Sequence, residues 1–184
     1  MKKTFILLVT LCLGAAAWGQ NPLDRPMETF PTAKETHILC QEAWMQLQNN
    51  PSLAPELVTA ALRSGNRQYS NAVLGYADET AGPKAIVKAV KKVFPSLSDA
   101  SKADVLYWIG RNKLEQLQPL IEGSLVPGEA GMAAVFAAIQ LGGTHNEALL
   151  KKLDGPLAAE ARRLLMGEAA NEEDSTRNSL RDSK

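Results

Sequence analysis

The sequence predicts an all-α chain whose short helices pair and stack as an α-solenoid of about four helix pairs. Three observations predict it. Apolar residues recur at spacings of three and four through most of the chain, the pattern of helices with one buried face. No segment shows the two-residue alternation and β-branched enrichment of a strand. Glycine, proline and asparagine interrupt the pattern at short, regular intervals, which divides it into helices of about ten to thirteen residues.

Residues 1–19 stand apart. Lys2 and Lys3 precede an apolar run from Phe5 to Leu13, and the small residues Gly14 to Ala17 follow. Basic start, apolar core and the small-x-small site Ala17-Trp18-Gly19 are the anatomy of a secretory signal peptide of bacterial type. The expected destination is therefore a periplasm or the outside of the cell. The full chain has 20 basic and 20 acidic side chains. Cleavage removes two lysines, so the mature chain is slightly acidic, which argues against general nucleic-acid affinity. Cleavage also removes Cys12 and leaves Cys40 alone, so no internal disulfide is expected. Cys40 reads as a small buried hydrophobe.

Residues 20–31, with Pro22, Pro26 and Pro31, read as an extended lead-in. A helical domain spans 32–167. Thr32 and Glu35 form a capping box, and Ile38, Leu39, Met45 and Leu47, with Trp44, give an apolar face that Asn49-Asn50-Pro51 ends. Pro55 opens a helix carrying Leu57, Val58, Ala61 and Leu62, stopped at Gly65-Asn66. Tyr69 to Asp78 forms the next. Gly82-Pro83 opens another, with Ile86, Val87, Val90 and Val93 inward and Phe94-Pro95 at its end. Ser98 or Asp99 caps a helix through Trp108, with Gly110 as a left-handed stop. Leu114, Leu117, Leu120 and Ile121 form its partner. Met132 to Leu141 follows, closed by Gly142-Gly143; Asn146 caps a short helix with Leu149, Leu150 and Leu153, and Pro156 starts the last. From Glu168 to Lys184 hydrophobic residues nearly vanish, and the composition predicts a disordered polar tail.

The helices repeat. Leu74 lies 32 positions before Leu106, and Phe136 lies 30 after it, so the period is near 31. Each unit has a small-residue first helix, a turn and a leucine-rich second helix, and a stack of such pairs builds one continuous core. Ile109-Gly110 with Leu117 and Leu120, and Leu141-Gly142-Gly143 with Leu150 and Leu153, resemble the short bacterial HEAT-like repeat, over about residues 66–167 and more loosely 33–65. The first unit departs from it by carrying Asp78 where the glycine falls. The resemblance implies a scaffold that binds a protein partner along a curved face. It also allows a catalytically silent module related to those attached to exported carbohydrate-active enzymes.

The sequence contains no Gly-x-Ser-x-Gly, Walker loop, dinucleotide fingerprint or His-Glu-x-x-His, so no catalytic residue, enzyme activity or cofactor is expected. His37, Cys40 and His145 are the only soft-ligand candidates, fewer than a structural zinc site wants, and no metal site is assigned. Glu115 and Glu122 read as solvated charge. Tyr107 and Trp108 are consecutive and face different directions, which places Trp108 in the core and Tyr107 half in solvent. Lys84, Lys88, Lys91 and Lys92 recur at i, i+4, i+7 and i+8, a basic stripe opposite Ile86, Val87, Val90 and Val93. This stripe is the candidate contact for an acidic partner surface or anionic glycan.

Overall fold

The computed structural model describes residues 32–167; the expected signal segment, lead-in and polar tail lie outside the described residues. Among the described residues all regular structure is helical. Helix α1 (Ala33–Asn49) begins with the expected capping box. The Thr32 side chain accepts from Glu35 N at 3.3 Å, and Thr32 N donates to Glu35 Oε2 at 2.6 Å. The face it buries differs from the expected one. Thr36, Cys40, Ala43 and Leu47 are buried, while Ile38, Leu39 and Met45 are exposed. Small residues line the buried face because α1 lies close against another helix.

After a 3-10 turn at Pro51–Leu53, α2 (Ala54–Arg63) has its proline in the first turn. Helix α3 (Arg67–Ala81) is capped by Asn66, whose Oδ1 accepts from Tyr69 N at 3.0 Å. The other end of that amide donates to Thr36 Oγ1 at 2.9 Å, so one side chain starts α3 and ties it to α1. Gly82, at φ 80°, turns the chain into α4 (Pro83–Val93). Helix α5 (Asp99–Arg111) is capped by Ser98, the first of the two expected candidates.

Gly110 is not the left-handed stop that its position suggests. It lies buried within α5. A Cβ there would stand 2.9 Å from the Ala137 Cα and 3.1 Å from the Phe136 ring. The left-handed residue is Lys113, at φ 49°. Around it Leu114 N donates to Ile109 O and Lys113 N to Gly110 O, both at 3.1 Å, the hydrogen-bond pair of a Schellman motif. The expected partner helix is short, a 3-10 turn (Glu115–Leu117) and then α6 (Gln118–Glu122), because Pro119 limits the helix to a single start. Helix α7 (Glu129–Leu141) lacks a side-chain cap of its own. Asp99 at the start of α5 supplies one, Oδ2 accepting from Glu129 N at 2.9 Å and Ala130 N at 3.3 Å. Gly142 and Gly143, both at positive φ, connect to α8 (Gly143–Leu150). Asn146 does not cap α8. It is buried inside it, donating to Gly142 O and accepting from Gln118 Nε2. A last helix, α9, occupies 155–167.

The packing skips along the chain. Helix α1 packs on α3, α2 on α4, and α5 most extensively on α7. One cluster of buried apolar side chains runs from Ala43 to Ala138, and a smaller one joins Val135 to Leu157 and Ala161. At the α5–α7 seam Gly110 meets Ala137 and Phe136, and the two helices also bury Ala103, Ala133, Ala134 and Ala138. Small residues on both sides let the two helices approach closely and exchange many weak dispersion contacts.

Two substitutions test these contacts. Gly110→Ala puts a methyl group against backbone, and overpacking of this kind predicts a loss of about 1–3 kcal/mol by urea denaturation. Lys113→Gly relieves a left-handed residue and predicts a gain of about 0.5–1 kcal/mol in the same assay, the reverse of the usual effect of glycine.

Candidate functional site

The expected contact residues Lys84, Lys88, Lys91 and Lys92 all lie exposed on α4, while Ile86, Val90 and Val93 are buried and Val87 is half-buried. None of the four has an ion pair with another described residue. The stripe is thus a solvent-facing row of positive charge.

The soft-ligand candidates do not converge. Cys40 is buried, and burial pushes its thiol pKa up, as in an inert structural cysteine. His37 is exposed on α1, and His145 Nε2 pairs with Glu122 Oε1 at 2.8 Å. Among the described residues no three His, Cys, Asp or Glu side chains group as a metal site would require.

A cleft that the sequence did not single out lies between α3 and α5, helices that touch each other only lightly. Its volume is about 460 Å³. Asn71, Leu74, Gly75 and Asp78 line one wall, at i, i+3, i+4 and i+7 of α3. Asp104, Tyr107, Trp108, Arg111 and Asn112, from α5 and its C-cap, line the other. Outside its own helix turn, no atom lies within 4 Å of where a Cβ on Gly75 would stand, so the wall is open at that position.

Asp78 is the polar centre of this cleft. Trp108 Nε1 donates to both its oxygens, at 2.9 and 2.8 Å, and Asn112 Nδ2 donates to Oδ2 at 3.0 Å. These donors are neutral, and no cation among the described residues pairs with the carboxylate. Burial raises its pKa, and the Trp108 and Asn112 hydrogen bonds oppose that shift without cancelling it. Beside it, Asp104 is held by a bidentate contact from Arg67 at 2.7 and 2.6 Å, and Arg67 reaches Glu129 at 3.1 Å. Trp108 is buried and Tyr107 half-buried, as their order along the helix predicts, yet both border the cleft. Consecutive helical residues diverge by only about 100°, which one wide opening accommodates. Tyr107 is fixed from behind by Phe136, with ring centroids 5.2 Å apart.

The signal for Asp78 in the sequence is a departure from the expected repeat: an aspartate stands where that pattern calls for glycine, 30 residues before Trp108. Nothing in the local sequence marks Asn112, because its role depends on α3.

No helix among the described residues is long and apolar enough to cross a membrane. Comparison of the chain with protein-family models, curated proteins and solved structures finds no match.

The raised pKa of Asp78 sets a pH dependence. The folded state binds this proton more tightly than the unfolded chain, whose aspartate titrates near the ordinary 3.8. The stability linked to it is complete below that value and is lost as pH rises through the folded pKa. Asp78→Asn removes this titration and keeps an oxygen acceptor. Its melting temperature, followed across the acidic range, is expected to lack the decline that the wild-type aspartate contributes.

Proposed function

We propose that the chain is an exported, non-enzymatic scaffold whose helix pairs stack as a HEAT-like α-solenoid and hold a protein partner in the cell envelope or outside the cell. The observation that carries the reading is a recurring separation in the polar contacts between helices. Asn66 bonds Thr36, Trp108 bonds Asp78, and Glu129 N bonds Asp99, each across 30 residues. This matches the period near 31 read from the sequence, as expected where one unit lies on the next. The packing of α1 on α3, α2 on α4 and α5 on α7 supports it in the same way, with first helices on first helices and second on second.

Export rests on the order of charge, apolar core and small residues in 1–19. The lysine stripe of α4 offers a row of positive charge to an acidic partner surface.

The test uses the mature chain as bait in an envelope extract, followed by reconstitution with the purified captured protein. The expected result is a defined complex that weakens with salt and is lost in Lys88→Glu with Lys91→Glu. A complex indifferent to both changes removes the stripe from the interface. A captured small-molecule substrate turned over by the purified chain overturns the non-enzymatic reading.

A further inference from the structure

We infer that the cleft between α3 and α5 is a receptor for a lysine or arginine side chain of an extended partner segment, with Asp78 as its counter-ion. The inference rests on the scaffold reading and adds a second contact, opposite in charge to the lysine stripe. The first observation is a carboxylate without a cation. Asp78 borders a cleft of about 460 Å³, held in place by Trp108 and Asn112, which are neutral donors. Three hydrogen bonds fix its orientation but leave its charge uncompensated. A half-buried carboxylate of this kind gains most from a cation that arrives with little water.

The second observation is the wall beside it. Tyr107 and Trp108 border the same opening. Aromatic surface next to a carboxylate suits a long aliphatic stem that ends in a cation, because the stem packs on the rings while the head reaches the charge. The third observation is the local charge balance. Arg67 is already committed to Asp104 and Glu129. Glu79 adds negative charge near Asp78, and Arg111 is the remaining positive group on the lining. The charged groups on the lining itself are Asp78 and Asp104 against Arg111, so with Glu79 close by the opening is acidic. Gly75, with open space beside it, gives the incoming backbone room over α3.

The experiment follows the Trp108 indole N–H and the Asn112 side-chain amide by NMR on the folded chain. The probe is a pool of short peptides with lysine fixed at the centre and mixed neighbours; the control pool carries norleucine there. The expected result is a saturable shift of both signals with the lysine pool and affinity about tenfold weaker with norleucine. The same loss is expected in Asp78→Asn. Gly75→Leu adds bulk to the α3 wall and keeps the Asp78 carboxylate in place, and it decides the matter if Asp78→Asn fails to fold. Absence of a shift in the wild type, equal shifts with both pools, or binding retained in Gly75→Leu overturns the inference. Putrescine binding as tightly as the lysine pool overturns the assignment to a peptide. A reconstituted partner that binds wild type and Gly75→Leu equally leaves the scaffold reading standing and overturns this one.

Discussion

No helix among the described residues can cover its own apolar face. Each runs for at most four or five turns and buries one side, so the side must be covered by another helix, and the loops are too short to bring a distant one. The cover comes from the helix two elements along: α3 for α1, α4 for α2, α7 for α5. Everything else is arranged to let these pairs come close. Across the α5–α7 seam Gly110 meets the Ala137 backbone, and Tyr107 packs on Phe136. Polar side chains work across the same gaps, Asn66 onto Thr36 and Asp99 onto the free amides of α7. A cap donated by a neighbouring helix couples the start of α7 to the packing of α5.

The cleft lies where α3 and α5 pack loosely. The gap is bridged by the Trp108–Asp78–Asn112 hydrogen bonds in place of a seam of small residues. A wide gap lined by an aspartate, two aromatic rings and amides is a poor core and a good receptor. The two features proposed for partner binding are thus of different kinds. The lysine row on α4 is long-range and screened by salt, whereas Asp78 acts at contact distance.

Local chemistry in the sequence is a good guide to the helices and a poor guide to their ends in context. The Thr32–Glu35 box, Pro55, Pro83 and the Ser98 cap are decided within one turn of chain, and each stands where its residues predict. Gly110 and Asn146 look like terminators by the same local logic. Both lie inside helices, because Gly110 serves the approach of Ala137 and Asn146 bonds Gln118 across a gap of 28 residues. The buried face of α1 was misjudged for a related reason: Ile38, Leu39 and Met45 are the more apolar residues, but a close helix contact selects Thr36, Cys40 and Ala43. Lys84, Lys88, Lys91 and Lys92 were legible as a stripe because one helix suffices to define it. Asp78 is visible only as a departure from the expected repeat, since its partners Trp108 and Asn112 come from α5 and its C-cap.

The proposed stack extends in one direction, whereas a bundle closes on itself. Spin labels placed pairwise at exposed positions, with Cys40 first replaced by serine, measure this directly. Asn49 on α1, Arg111 at the end of α5 and Arg162 on α9 are suitable sites. With helix layers about 8–10 Å apart, a stack predicts about 20 Å from Asn49 to Arg111 and about 30–40 Å from Asn49 to Arg162. A distance from Asn49 to Arg162 no longer than that to Arg111 would mean the last helix folds back on the first, and would contradict the stack.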